Sequence, residues 1–388
     1  MQSIIILGRQ PKIGLAELES LYSTKNIKPF GPTAALLDIP ADKIEFLRLG
    51  GALKLGTLLG CTKVQHLNKE IFKLIKHLDL PIEGKINIGL SAYGGNFSAK
   101  ALQILALKIK KELKRQGHSI RIIPNREPAL NTAQVLHNRL ATNRGVELLL
   151  VVSGDDLIIA RTTKVQDITD YTARDRMRPK RDAFVGMLPP KLAQIIINLA
   201  SGVEANQPKR LLDPFCGTGV ILQEALLAGL DVYGTDNSQK MIDYSTANIE
   251  WLKDRWQQAD GSVAIELGDA TSHNWTQPIS LVASETYLGK PLTSLPKNDE
   301  FVAMVGDINH LHKKFLQNIH SQLLAGTRLC LAVPAWYTNN GYKSLPILDQ
   351  LAVLGYNRVA FENSEPKELI YRRPDQIVAR ELVTLIRI

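Results

Sequence analysis

The stretch Leu211-Leu212-Asp213-Pro214-Phe215-Cys216-Gly217-Thr218-Gly219 constrains the fold more than any other. Two leucines end a buried strand and Asp213 closes it. A turn with two glycines then leads into a helix, Val220 to Leu227, stopped by Gly229. A second apolar run, Val232-Tyr233-Gly234-Thr235, ends in Asp236, 17 residues after Gly219. Strand, glycine turn, helix, strand, acid is the leading half of a doubly wound nucleotide-binding sheet. Further strands are expected at 263–267, 281–283, 328–333, 356–361 and 381–386, with helices at 238–254, 309–324 and 345–354. Alternation of this kind predicts an α/β domain with a parallel sheet and crossover helices. Residues 368–371 and 378–386 read as two paired strands joined through Arg372-Arg373-Pro374-Asp375, an antiparallel end to that sheet.

The ligand class follows from what surrounds the glycines. Leu222 stands where a dinucleotide pattern needs a third glycine, and no Lys-Ser/Thr pair follows as a phosphate-cradling loop requires. Small residues at 213–219 let main chain approach a ligand, and the helix start offers free N–H groups. Asp236 and Asn237 close the second strand, where a carboxylate accepts two ribose hydroxyls. Asp269-Ala270 follows the third strand, where an acid meets an adenine amino group. Ser284-Glu285-Thr286-Tyr287 follows the fourth. The order of these signals predicts S-adenosylmethionine (SAM). Cys216 reads as a small apolar filler of the loop.

Ahead of this domain lie two smaller α+β patterns. Residues 1–62 carry strand runs at 4–7, 34–39 and 50–59 with helices at 14–23 and 42–49. Residues 63–165 carry helices at 68–78, 98–116 and 131–140 and strands at 86–93, 120–123, 147–152 and 157–162. Residues 166–188 have few apolar side chains and no sustained period, and read as a charged linker. Pro189-Pro190 opens a helix that starts the last domain, 189–388. Charge divides along the same line. Residues 1–182 hold 29 Lys/Arg against 17 Asp/Glu, and residues 183–388 hold 18 against 21, so the net +9 belongs to the first half. A one-sided positive field favours a polyanionic partner. Arg161, Lys164, Arg174, Arg176, Arg178, Lys180 and Arg181 gather around the linker and are candidate phosphate contacts. Cys61, Cys216 and Cys330 are too scattered for a metal site or a disulfide framework. The eight histidines show no ligand spacing, so no metal is expected. Reduced thiols, the lack of a signal-peptide pattern and the lack of a long apolar run point to a cytosolic protein.

Asp213-Pro214-Phe215-Cys216-Gly217-Thr218-Gly219 resembles the SAM motif of the THUMP-bearing tRNA guanosine N2-methyltransferases, above all the archaeal and eukaryotic family acting on guanosine 10. Met187-Leu188-Pro189-Pro190-Lys191-Leu192-Ala193 looks like that family's entry into its catalytic domain. Val165 to Tyr171, with Arg174-Asp175, looks like the end of its THUMP domain, and Leu49-Gly50-Gly51-Ala52-Leu53-Lys54 like its N-terminal ferredoxin-like domain. The resemblance implies a Rossmann-like class I SAM-dependent methyltransferase domain behind ferredoxin-like and THUMP domains. It also implies methyl transfer from SAM to the N2 amino group of a tRNA guanosine, with tRNA as partner.

One motif departs from the family. Its members read Asp-Pro-Pro-Tyr where this chain has Ser284-Glu285-Thr286-Tyr287. A guanine N2 amino group is a poor nucleophile because its lone pair is conjugated. In the family an acid and a proline carbonyl accept its protons, and the aromatic ring stacks on the base. Pre-placed acceptors of this kind supply much of the rate. Here Tyr287 keeps the stacking position, Ser284 offers a hydroxyl and Glu285 a carboxylate displaced by one residue. Three readings stay open on the sequence: Glu285 replaces the missing acid, Glu285 is a general base for another acceptor position, or catalysis is lost and an RNA-binding fold remains. Trp336 and Tyr337 lie near the carboxyl edge of the sheet, as lining of the acceptor pocket or as packing.

Overall fold

The structure, a computed structural model, describes residues 2–81, 84–182, 188–202, 210–374 and 376–388. Residues 183–187 of the charged stretch, with Met187, and Asp375 of the tail turn lie outside them. The chain divides into two compact units, residues 1–15 with 22–171 and residues 16–21 with 172–388.

Up to residue 165 the chain forms β1 (Ser3–Leu7), α1 (Pro11–Tyr22, whose residues 16–21 group with the second unit), β2 (Ile27–Phe30), β3 (Ala34–Leu37), β4 (Ala52–Lys63), α2 (Leu67–Ile75), β5 (Lys85–Tyr93), α3 (Ala99–Arg115), β6 (Ser119–Ile122), α4 (Thr132–His137), β7 (Gly145–Ser153) and β8 (Asp156–Val165). These eight strands form one sheet in the order β2-β3-β1-β4-β8-β7-β5-β6. Long β4 pairs with both β1 and β8, so residues 1–62 and 63–165 share that sheet. Local signals set the helices. Ser98 caps α3 by accepting from the Ala101 N–H at 3.1 Å, and Leu102, Leu105, Ile109 and Leu113 bury one stripe of it. Asn131 and Gln134 form a capping box on α4. The helix expected at 42–49 is instead two single 3-10 turns, 41–43 and 46–48.

Strand β4 also brings a lysine into the core. Lys54 is 1% exposed and pairs with Glu147, which is fully buried. The remaining valences are filled. Lys54 Nζ donates to the Leu130 carbonyl (2.8 Å), and Ser91 and Thr162 donate to the Glu147 carboxylate (2.5 and 2.6 Å). A buried pair is tolerated only when its hydrogen bonds are completed in this way.

The chain passes from the first unit to the second within α5 (Ile168–Arg176), which the sequence reading takes for linker. An apolar stripe is missing because α5 is anchored by charge. Arg174 is buried and forms an ion pair with Glu224 at 3.2 Å, while the Asp167 carboxylate accepts the N–H groups of Thr169 and Asp170 (2.9 and 3.1 Å). Next come α6 (Pro190–Ser201), β9 (Arg210–Asp213), α7 (Val220–Leu227), β10 (Asp231–Asp236), α8 (Gln239–Arg255), β11 (Val263–Leu267) and β12 (Leu281–Glu285). They are followed by α9 (Asn298–His320), β13 (Arg328–Thr338), β14 (Gly341–Lys343), β15 (Tyr356–Arg358), β16 (Ile370–Tyr371) and β17 (Val378–Arg387). Helix α9 starts well before the expected Asn309, because Phe301, Val305 and Ile308 continue its buried stripe. The helix expected at 345–354 is instead a 3-10 turn at 346–350, and the chain turns into β15 at the left-handed Gly355 (φ +83°).

The sheet runs β11-β10-β9-β12-β13-β17-β15, with β14 on β13 and β16 on β17. Strands β11 to β13 are parallel, and β17 runs antiparallel to β13, β15 and β16. The expected α/β fold with an antiparallel tail is thus present. Chain order reverses between β9 and β12, and such a switch point opens a crevice beyond the carboxyl ends of the strands. Among the described residues no helix is long and apolar enough to cross a membrane.

Candidate active site

The loop after β9 is built on left-handed glycines. Gly217 (φ +51°) and Gly219 (φ +80°) turn the chain into α7. A Cβ on Gly219 would also lie 2.9 Å from Ser245 Oγ. Neighbouring elements clamp the turn. The Cys216 N–H donates to the Thr235 carbonyl (2.9 Å), Ser245 Oγ to the Gly217 carbonyl (2.8 Å) and Asn248 Nδ2 to the Thr218 carbonyl (2.9 Å). Asp236 completes it. Its Oδ2 accepts the Gly217 N–H and its Oδ1 the Ser238 N–H, both at 3.0 Å. Burial pushes this carboxyl up, while the two N–H groups pull it back.

A cavity of about 690 Å³ opens at the crevice, within the range of small-molecule sites. Asp213, Pro214, Phe215, Cys216, Gly217, Thr218, Asp236, Asn237, Asp269, Ala270, Glu285 and Tyr287 all line it. Gly219 caps α7 behind it. Cys216 is a buried free thiol pushed well up by its surroundings. Asp269 holds its own turn, with Oδ1 accepting from the N–H and hydroxyl of Thr271 (2.9 and 2.8 Å).

Ser284 corrects one expectation. It is fully buried, and its hydroxyl donates to Asp213 Oδ1 at 2.6 Å, so it serves that carboxyl and does not line the cavity. Burial pushes Asp213 up to about 7, with Ser284 and the Phe215 N–H opposing and the Asp236 and Glu285 carboxylates adding to the rise. Glu285 lines the cavity and is paired with Arg380 on β17, whose Nη1 also donates to Gln376 Oε1 at 3.2 Å. Thr286 points inward to His312 Nε2 at 2.8 Å, and His312 Nδ1 meets the Ile308 carbonyl at 2.8 Å. Burial pulls His312 down to about 4. The neutral ring therefore donates from Nδ1 and accepts the Thr286 hydroxyl at Nε2. Tyr287 is 43% exposed at the cavity wall.

Arg380 and His312 escape the sequence reading, although each leaves a trace. Arg380-Glu381 is a charged pair inside the apolar run of β17, and His312 falls on the buried stripe of α9. His312 and Asp213 make opposing contributions to stability as pH changes. His312 sits below its ordinary 6.5, so the unfolded chain binds that proton more readily and stability rises from pH 4 to 6.5, by about 3 kcal/mol. Asp213 sits above its ordinary 3.8, so the native state binds that proton more tightly and stability falls from about pH 4 to 7, by about 4 kcal/mol. The two contributions nearly cancel in the wild type, so urea unfolding across this range is expected to show a net fall in stability with rising pH in His312→Gln and a net rise in Asp213→Asn.

The basic candidates separate. Arg174 and Arg178 are buried, the first on Glu224 and the second with its guanidinium pulled down by burial, so neither is free to meet phosphate. Arg176, Lys180 and Arg181 are exposed. Lys180 is pinned through its main chain to Asn248 (2.9 and 3.0 Å). In the first unit, Arg161 and Lys164 donate to the carbonyls of Asp79 (3.3 Å) and Ile44 (3.2 Å). Trp336 is core, edge-to-face on Phe301 at 5.8 Å, whereas Tyr337 is 45% exposed. Among the described residues no group of three or more His, Cys, Asp or Glu side chains is placed to hold a metal.

Residues 178–277 match the family described as RMKL-like, methyltransferase domain. The chain is 30% identical over 187 residues to the tRNA (guanine(10)-N2)-dimethyltransferase of Methanothermobacter thermautotrophicus, a match covering 47% of this chain and 49% of that protein. It is also 30% identical over 153 residues to the enzyme of the same name from Pyrococcus abyssi, covering 38% of this chain and 39% of that one. The matched stretch thus spans about half the length of the first relative or less. TrmN from Thermus thermophilus shares the fold over the full length of both chains, with a TM-score of 0.54 at 16% identity. The resemblance read from residues 213–219 is borne out by these likenesses.

Proposed function

We propose that the chain transfers a methyl group from SAM to the exocyclic N2 amino group of a tRNA guanosine, guanosine 10. The observation that carries this reading is that the fixed Asp236 carboxylate and the Glu285–Tyr287 wall open into one cavity. SAM, when bound, supplies an electrophilic methyl group. The cavity fits it: Asp236 takes the ribose hydroxyls, Asp269 the adenine amino group, and the main chain of 213–219 the amino-acid end. On the acceptor side Tyr287 stacks on an extruded base. Glu285, held by Arg380, accepts one amino proton, and a main-chain carbonyl of 284–286 is the second acceptor. This replaces the family's acid one residue later. Exposed Arg176, Lys180 and Arg181, with Arg161 and Lys164, add phosphate contacts.

Labelled SAM and tRNA transcripts test the reading. Incorporation is expected on a transcript with guanosine at position 10 and is expected to vanish when inosine, which lacks the N2 amino group, replaces it. Glu285→Ala should lower kcat/KM about 10²-fold. A second reading, transfer to another base position, is favoured by Ser284 turning away to Asp213; incorporation that survives the inosine substitution would select it. No incorporation into any RNA would leave only an RNA-binding fold.

A further inference from the structure

Beyond the cavity, β13 carries an aromatic surface that the reaction above does not use. Glu285 of β12 lies beside Ala332 of β13, and β13 continues past it to Thr338, beyond the carboxyl edge where β12 stops. Side chains alternate there. Trp336 turns into the core, and Tyr337 turns out, 45% exposed. Strand β14 returns with Tyr342 opposite Tyr337, bringing the two rings to 5.3 Å, and Tyr342 is 41% exposed. The Arg372 guanidinium lies 3.8 Å from the Tyr337 ring centroid. It is held there by its own loop, Nε donating to the Gln376 carbonyl (2.8 Å) and Nη2 to the Pro374 carbonyl (3.2 Å).

The surface is joined to the cavity. The Gln376 side chain accepts from Arg380, and Arg380 holds Glu285, so one run of contacts leads from the cavity wall to the exposed rings. Along β13, Tyr337 stands five residues past the partner of Glu285, roughly 17 Å of strand. We propose that Tyr337, Tyr342 and Arg372 form a stacking platform for an unpaired nucleobase of the RNA, beside the nucleotide whose base enters the cavity. This rests on the methyl-transfer reading above. Two phenol rings and a flat guanidinium offer faces to any base, because every base has a π-face. Arg372 also adds a positive charge for the adjoining phosphate, and exposed Lys343 adds a second. Extruding a target base unstacks its neighbours, and a platform there replaces the lost stacking.

The test uses the full chain with an unmodified tRNA transcript. The double variant Tyr337→Leu/Tyr342→Leu is expected to bind tRNA about tenfold more weakly. Its SAM affinity should be unchanged, and kcat at saturating tRNA should stay within about twofold. Tyr337→Phe/Tyr342→Phe is expected to bind as wild type does, since the rings and not the hydroxyls carry the contact. If the leucine pair loses SAM binding, and with it the fold, the single variant Tyr342→Leu decides, with a severalfold weaker tRNA affinity expected. Wild-type affinity in the folded leucine variant, or a phenylalanine pair as weak as the leucine pair, overturns the platform. Wild-type protein that binds tRNA without methylating it fails the methyl-transfer reading alone, and the affinity comparison still decides the platform.

Discussion

Asp236→Ala is expected to weaken SAM binding by about 10²–10⁴-fold. The carboxylate has two duties. It accepts the N–H groups of Gly217 and Ser238, which fix the glycine turn, and it faces the cavity, where the proposed reading has it take the ribose hydroxyls. Hydrogen bonds to a charged acceptor are each worth about 1.5–3 kcal/mol. Losing two of them amounts to about 3–6 kcal/mol, which is the stated factor in affinity. The effect should be specific. The Cys216–Thr235, Ser245–Gly217 and Asn248–Thr218 bonds survive the substitution, so the loop keeps most of its path. Isothermal titration calorimetry on the full chain measures it, and a Kd within threefold of wild type would remove Asp236 from the cofactor site.

Arg380→Ala should unfold the second unit at a markedly lower temperature and also lower its activity. Arg380 is 5% exposed and Glu285 15%, so removing the arginine strands a carboxylate in a largely dry setting. Breaking such a pair from one side costs about 3–5 kcal/mol, or roughly 10 °C in Tm for a unit of this size. The double variant Arg380→Ala/Glu285→Gln should recover much of that loss, because the stranded charge is gone, yet remain poor in methyl transfer. Arg380→Lys keeps the charge but not the fork that serves Glu285 and Gln376 together. It should therefore restore Tm more fully than kcat/KM, which is expected to stay about tenfold down. A thermal midpoint and incorporation rate both equal to wild type in Arg380→Ala would show that the pair neither steadies the wall nor orients Glu285.

The glycine-turn side of the cavity was legible because its signals follow one another closely in sequence. Residues 213–219, Asp236 and Asp269 each follow a strand end, and local chemistry alone marks them as turns that approach a ligand. The Glu285–Tyr287 wall was less so, because its geometry depends on strands far apart in the chain. The alternation along β12 decides that Ser284 faces Asp213 while Glu285 faces the cavity, and only the β13–β17 pairing brings Arg380 to it. Helix α5 was missed for a related reason: an element held by Arg174 on Glu224 carries no apolar period to read. Lys54 on Glu147 hid in the same way, as a basic residue in what otherwise reads as an ordinary strand.

Sequence distance gives the Glu285–Arg380 pair a temporal side. The two partners are 95 residues apart, and β17, which carries the arginine, lies inside the sheet between β13 and β15. On the ribosome, at about 5–20 residues per second, the glutamate emerges roughly 5–20 s before its arginine. By the end of that interval the glycine turn, its helix and all five parallel strands can be in place while the Glu285 wall still lacks its arginine. On the proposed reading, the nascent chain gains its site for the methyl donor before it gains the means to present an acceptor.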